Sequence, residues 1–357
     1  MTQTQEASPF AGKSVLITGG TGSLGRCLVR RLLSGVSGLP RRVIVFSRDE
    51  DKQYNMELDI RQEYAATDDV MYRSRNLLTF RIGDVRDYET VVRAVREADI
   101  IIHAAALKQV PVGEFFPWEC VKTNILGAQN IIRAIMETNN KVETVLAIST
   151  DKACKPVNTY GMCKAVQERL IIEANSLCPE TRFICVRYGN VIASRGSIIP
   201  LLTRQILDGG PVTITHKDMT RFFLTLDDAV NIIVDAVRDA APGDIFVPDL
   251  SSVRMIDVVN AMIGVRNIPV EVIGIRPGER MHEILVSEEE LRRTYKRGKY
   301  YVVVPLLPGL HSCLDSGFDD FPLHSELSSK DCTMPVEQVF RFLSGGGHLD
   351  FTPAVTE

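Results

Sequence analysis

The sequence predicts an α/β fold: a doubly wound parallel sheet with a smaller carboxy-terminal α/β lobe. Three observations lead there. Short apolar, β-branched runs alternate with helical patterns through the first half of the chain. A turn carrying Gly19, Gly22 and Gly25 separates the first such run from the first helical pattern. Beyond Tyr188 the composition shifts to loops and shorter elements. Together they give a Rossmann unit over residues 11–187 and a lobe over 188–305 whose elements are free to interleave with it. An extension of unassigned role follows over 306–357. A chain of 357 residues is long enough to bury a large core of this kind.

The first segment, KSVLITGGTGSLGRCLVRRLL, reads as strand, turn and helix, with Leu24, Leu28 and Leu32 on one face and Arg26 and Arg30 outside. Glycines let backbone approach a pyrophosphate, and the helix N-terminus offers it unpaired N–H groups and a partial positive charge. Gly19, Thr21, Gly22, Ser23, Leu24 and Gly25 are therefore candidate dinucleotide contacts. The second strand, RRVIVF, ends in SRDE, where such folds meet the adenosine ribose. An acid first in that place would bind the free 2′-hydroxyl of NAD. Ser47 and Arg48, with Lys52 one turn on, suit a 2′-phosphate instead, which favours NADP.

LLTFRIGDV follows as a third strand, residues 88–98 as a helix, and DIIIHAAA as a fourth strand ending in small residues that let backbone meet a cofactor. Pro117 opens a long helix through Asn139, and TVLAIS is the strand that presents Thr150 and Asp151 at its carboxyl end. Open parallel sheets bind ligands at such ends. Near the terminus PVEQVFRFL reads as one short helix and SGGGHLDFTPAVTE as a loose tail.

Lysine and arginine total 41 against 45 acidic residues, a net charge of −4, and no basic cluster argues for a nucleic-acid partner. No apolar run approaches the roughly 18 residues of a membrane span. The polar start MTQTQEASPF is no signal peptide. The expectation is a cytoplasmic protein without membrane insertion. The eight cysteines show no CxxC pair and the histidines no HExxH, so scattered reduced thiols and no metal are expected. His282-Glu283 is only a fragment of a zinc motif.

The stretch STDKACKPVNTYGMCK, Ser149 to Lys164, places a hydroxyl, an acid, an amine, a phenol and a second lysine within sixteen residues. Tyr160 and Lys164 stand four apart, one helical turn, so that an ammonium beside the phenol favours phenolate. A plain dehydrogenase or epimerase needs that pair; a site that also expels water needs acid and base equipment such as Thr150, Asp151 and Lys152. In the lobe, Asn190 presents an amide to a diphosphate or sugar. Arg195 and Arg221 each offer a planar fork to phosphate, and Arg276 with Glu279 can hold a ribose.

These motifs carry a resemblance. The glycine turn, GDVRD from Gly83, HAAALKQVP from His103, KTN from Lys122, STDK from Ser149, YGMCK from Tyr160, RYGNV from Arg187 and RPGERMHE from Arg276 follow in order. The chain resembles the extended short-chain dehydrogenase/reductases of the polysaccharide-biosynthesis group, and most closely the inverting UDP-N-acetylglucosamine 4,6-dehydratases, over residues 11–305. The resemblance implies that Asp84 and Val85 meet adenine, that Ala104, Ala105 and Ala106 pack the nicotinamide side, and that Asn124 orders water near the Tyr/Lys pair. It implies a UDP-sugar substrate contacted by Lys108 and by the segments that hold Asn190, Arg195, Thr213, Arg221, Arg276 and Glu279. It also implies a homo-oligomer, a dimer or hexamer.

The implied reaction begins with oxidation at C4. Tyr160, as phenolate beside Lys164, takes the O4 proton, Thr150 holds O4, and a tightly bound NADP accepts the hydride. Neutral Lys152 then removes the acidified C5 proton and protonated Asp151 donates to the departing C6 hydroxyl. Hydride returns to C6, so the cofactor is regenerated in each turnover. A sugar 4-epimerase, a reductase and a noncatalytic dinucleotide sensor are the alternatives.

Overall fold

The computed structural model describes residues 8–64, 77–138, 141–192, 197–307, 310, 322–345 and 349. Its first half runs β1 (Ser14–Thr18), α1 (Ser23–Leu33), β2 (Arg42–Ser47), α2 (Glu50–Tyr64), β3 (Leu78–Ile82), α3 (Tyr88–Val95), β4 (Ile100–His103), α4 (Val110–Phe115), α5 (Pro117–Val121), α6 (Gly127–Glu137), β5 (Thr144–Ile148), α7 (Thr159–Leu177) and β6 (Arg182–Val186). Shorter elements follow: β7 (Asn190–Val191), α8 (Ile198–Leu207), β8 (Val212–Ile214), β9 (Thr220–Leu224), α9 (Leu226–Asp239), β10 (Ile245–Pro248), β11 (Ser252–Arg254), α10 (Met255–Ile263), β12 (Val270–Val272) and β13 (Ile284–Val286). The last are β14 (Thr294–Arg297), β15 (Tyr300–Val303), β16 (Leu327–Ser328) and α11 (Val336–Gly345).

Among the described residues the main sheet has nine strands, in the order β14-β15-β10-β6-β5-β4-β1-β2-β3. Pairing is parallel from β3 to β10 and antiparallel at the β15 and β14 edge. Helices cover both faces, so alternate residues of one strand enter different cores. Leu16, Ile44, Ile101 and Val145 pack on one side, and Val15, Ile17, Val43, Val45 and Ile102 on the other. That double burial is why these strands read as continuous apolar runs. Strand order reverses between β1 and β4, and a crevice opens at their carboxyl ends.

Strands β10, β14 and β15 join the main sheet although they lie beyond residue 188. Helices α8, α10 and α11 build the lobe around Leu202, Met262, Val339 and Leu343, whereas α9 packs in the core on one face of the main sheet and β13 and β16 in the core on the other. Helix α11 thus belongs to the lobe core, and β16 pairs with β13. The long helix expected from Pro117 is interrupted by a π turn at Lys122–Leu126. Of the expected tail, residues 346–348 and 350–357 lie outside the described residues, as do 1–7 of the polar start and 311–321 of the extension. No helix of the described residues is long and apolar enough to cross a membrane.

Candidate active site

The crevice is a cleft of about 1160 Å³ running from the glycine turn to the lobe. At one end stands α1, whose N-terminus has no side-chain cap and no acid in its first turn. The partial positive charge of that helix end favours an anion. Gly19 has a φ of +67°, and a Cβ there would lie 2.9 Å from the Ala105 backbone; a Cβ on Gly25 would lie 2.4 Å from the Gly20 carbonyl. Glycine at both positions lets the turn close against β4 and α1 dock on the turn. This cradle fits a diphosphate. Gly19, Thr21, Gly22, Ser23, Leu24 and Gly25 all line the cleft, followed by Ser47, Arg48, Lys52, Asp84, Val85, Ala104, Ala105 and Ala106.

The basic set at the end of β2 is tempered by carboxylates. Arg48 is half-exposed, 3.7 Å from Asp84, and Lys52 pairs with Asp49. Burial works against the Asp84 carboxylate, but the bonds from Arg86 outweigh it and hold it below the ordinary range.

The stretch from Ser149 to Lys164 folds into one cluster. Thr150 caps the short 3₁₀ turn Asp151–Ala153, and Asn158 caps α7 by accepting the Gly161 N–H at 2.7 Å. A Cβ on Gly161 would fall 2.2 Å from the Lys152 carbonyl oxygen, so glycine allows the turn to touch the first turn of α7. Tyr160 is thereby brought beside Thr150 and Lys152. The Thr150 hydroxyl donates to Asp151 Oδ1 at 2.9 Å, and Lys152 Nζ donates to the same oxygen at 2.9 Å. Asp151 is fully buried, and its Oδ2 lacks a hydrogen-bond partner among the described residues. Burial, with Glu283 adding to it, raises the Asp151 carboxyl against the pull of Lys152.

Two electrostatic expectations are corrected. Lys152 was expected neutral. Burial does push its ammonium down, but Asp151 and Glu283, the latter with Oε1 at 3.3 Å, outweigh it and hold Lys152 well above the ordinary lysine range. Lys164 was expected to favour the Tyr160 phenolate. Burial instead pushes the phenol up to about 12, and the groups opposing this are Lys152 and the Thr150 hydroxyl. Lys164 is buried and bonded to Gln167 Oε1 at 2.6 Å, and burial brings it down to about 8. Both Tyr160 and Lys164 do line the cleft.

Lys108, Asn190, Arg221, Arg276 and Glu279 line the lobe side of the cleft. Burial lowers Lys108. Asn158 Nδ2 donates to the Gly278 carbonyl at 2.8 Å, which ties the loop of Arg276 and Glu279 to the catalytic helix. Arg221 is less free than expected: its terminal nitrogens donate to the carbonyls of Thr220, Arg280 and Met281, so it braces the loop as much as it faces the cleft. Two expected contacts sit elsewhere. Asn124, in the π turn, holds the Leu107 backbone through both amide atoms, at 2.8 and 2.9 Å, and does not line the cleft. Thr213 is engaged twice by Gln205, away from it. Arg195 lies outside the described residues. The residue missed was Glu283, buried beside Lys152 and 3.7 Å from Arg221. A carboxylate closing the RPGERMHE motif was its only trace.

A family model described as polysaccharide biosynthesis protein matches residues 15–305. The chain belongs to this family. Among its relatives, the inverting UDP-N-acetylglucosamine 4,6-dehydratase of Campylobacter jejuni subsp. jejuni serotype O:23/36 is 41% identical over 299 residues, 83% of this chain and 84% of that one. A UDP-glucose 4-epimerase of Rickettsia akari is also 41% identical, over 82% of this chain and 83% of that one. Of solved structures, Pen from Bacillus thuringiensis superposes with a TM-score of 0.84 at 32% identity, covering 96% of this chain and 99% of its own. The family membership and the fold agree with the resemblance read from the motifs.

Proposed function

We propose that this member of the family dehydrates UDP-N-acetylglucosamine to a UDP-2-acetamido-2,6-dideoxy-4-keto-hexose with inversion at C5. One observation carries the reading: Asp151 and Lys152 are hydrogen-bonded into the same cluster as Thr150 and Tyr160, so redox and elimination equipment share one cleft. A 4-epimerase, the name carried by the Rickettsia relative, has no step for Asp151 and Lys152.

The cradle at α1 is assigned to a nicotinamide dinucleotide, held by the turn from Gly19 to Gly25 and by Ser47, Arg48, Lys52, Asp84, Val85 and Ala104 to Ala106. Arg48, half-exposed and loosely paired, supports NADP as the form bound. When bound, the dinucleotide supplies a hydride acceptor at C4 and a hydride donor at C6 within one turnover. Tyr160 takes the O4 proton, Thr150 orients O4, and Asp151 donates to the departing C6 hydroxyl, a task its raised carboxyl suits. Lys164, at the cofactor end, keeps a cation near the nicotinamide ribose. Lys108, Asn190, Arg195, Arg276 and Glu279 are assigned to the UDP-sugar.

We place the protein in the cytoplasm as a homo-oligomer. Exposed Trp118, Met162 and Val166 on the neighbouring helices α5 and α7 offer apolar surface to a second copy, and light scattering of the pure protein reads its state. Mass spectrometry after incubation with UDP-N-acetylglucosamine tests the function. A product lighter by one water is expected. An isobaric product would identify an epimerase.

A further inference from the structure

The extension that follows residue 305 returns to the site. Its segment from Glu326 to Met334 runs as a strap along β13 and β11 and is anchored at both ends. At the start, Glu326 Oε2 accepts from Lys155 Nζ at 2.8 Å, and β16 pairs with β13. At the end, the Ser252 N–H donates to the Cys332 carbonyl at 2.8 Å, the Met334 N–H donates to the Ser252 carbonyl at 2.9 Å, and α11 follows into the lobe core. Ser329, between these anchors, is fully buried. Its N–H donates to the Glu283 carbonyl at 2.8 Å, and its Oγ accepts the Glu283 N–H at 2.9 Å and lies 2.6 Å from Thr220 Oγ1. Its carbonyl accepts from Ser252 Oγ. One residue of the strap thus joins β9, β11 and the end of the motif Arg276–Glu283. With every polar group of Ser329 paired away from water, a shift of any one of these segments leaves a buried group unpaired.

That arrangement bears on the lobe end of the cleft. Arg276 and Glu279 line it, and their loop is held at its middle by the bond from Asn158 to the Gly278 carbonyl. Beyond Glu279 the loop is held by β9. The Thr220 N–H donates to the Met281 carbonyl at 3.0 Å, and Arg221 donates to the carbonyls of Arg280 and Met281. Ser329 grips both sides of that contact, Thr220 at its hydroxyl and Glu283, two residues beyond Met281, at its backbone. We infer that Ser329 is a positioning residue for the UDP-sugar: through Thr220 and Glu283 it fixes the loop that carries Arg276 and Glu279, and the extension is thereby part of the site. The cradle at α1, at the other end of the cleft, shares none of these bonds. This inference rests on the assignment of the lobe end to a UDP-sugar and on no step of the chemistry.

The test is calorimetric titration of UDP into the full-length, cofactor-loaded protein, with the dinucleotide content and Tm of each variant measured beside it. Ser329→Ala removes the hydroxyl and little volume. It should weaken UDP binding about three- to tenfold, the scale of one hydrogen bond, and leave the dinucleotide content at the wild-type level. Thr220→Val removes the facing hydroxyl at similar shape and should give the same selective loss; if Ser329→Ala does not fold, this variant decides. The double variant should bind UDP no more weakly than Ser329→Ala alone, because both changes act through one contact. UDP binding unchanged in the single variants overturns the proposal. So do losses that multiply in the double variant, and so does a loss of UDP binding matched by loss of dinucleotide and a lowered Tm, the mark of a residue that supports the fold alone. Wild type that binds UDP yet forms no dehydrated product overturns the dehydratase reading and leaves this inference standing, whereas wild type that binds no UDP overturns the assignment of the lobe end and this inference with it.

Discussion

In the proposed reaction Tyr160 is the group on which the first chemical step depends, and its surroundings set a pH dependence. Burial pushes its phenol up to about 12, while Lys152 and the Thr150 hydroxyl oppose that shift. The phenolate fraction therefore grows as pH rises through the neutral and alkaline range, and C4 oxidation should accelerate with it. Thr150→Val removes a hydroxyl that opposes the upward shift of the phenol and should move the rise to higher pH, read as reduced-cofactor absorbance in single-turnover experiments. The lysines separate by step. Lys164→Ala should form little 4-ketone, whereas Lys152→Ala should oxidise C4 and stall before water is lost, each losing at least about a hundredfold in product formation. These side chains were legible because they are neighbours in sequence: Thr150, Asp151 and Lys152 are consecutive, and Tyr160 and Lys164 share a helical turn. Their protonation was not, because Glu283 reaches Lys152 from a distant segment.

At the scale of elements, the site depends on a close contact between the turn Asp151–Ala153 and α7. Gly161→Ala would place a methyl 2.2 Å from the Lys152 carbonyl oxygen, a backbone atom with little room to yield. Overpacking of this kind costs about 1–3 kcal/mol, and activity should fall further than stability because the turn carries Asp151 and Lys152. Thermal unfolding and turnover of the same variant separate the two effects. Strands β1 and β4 are joined beneath the cofactor cradle by His103, whose Nδ1 is 2.8 Å from Thr18 Oγ1. Burial, then the charge of Lys164, pushes its imidazole down to about 3 from an ordinary 6.5. The unfolded chain binds that proton below pH 6.5 and the folded chain does not, so stability is lost as pH falls through this window. The slope is about 1.4 kcal/mol per pH unit. Between pH 6.5 and 5, above the carboxylate range, His103→Asn should flatten the fall in unfolding free energy. The alternation of strands and helices was legible here from apolar runs and the glycine turn. The π turn at Lys122–Leu126 was not, since an apolar pattern of helical period does not distinguish an inserted residue from a regular turn. Asn124 lies within that turn and holds the Leu107 backbone.

Across the whole molecule, the cleft unites segments from the first strand to the loop after β12, and each end has its own test. At the adenosine end, Arg48→Ala should weaken NADP binding roughly ten- to a hundredfold and NAD binding little, because only the former loses a charged partner for its 2′-phosphate. Equal losses by calorimetry would make Arg48 structural. At the lobe end the sequence was least legible. Strands of two to five residues carry little periodicity, and the extension contributes a strand and a helix through pairings with β13 and α10 that local pattern does not encode. The central claim is that one cleft oxidises C4, expels water and returns the same hydride to C6. The direct test is NMR of the product formed from UDP-N-acetylglucosamine carrying deuterium at C4. The account predicts a 4-keto product with the deuterium in its C6 methyl group, whereas deuterium retained at C4 of an epimer, or lost to free reduced cofactor, would contradict it.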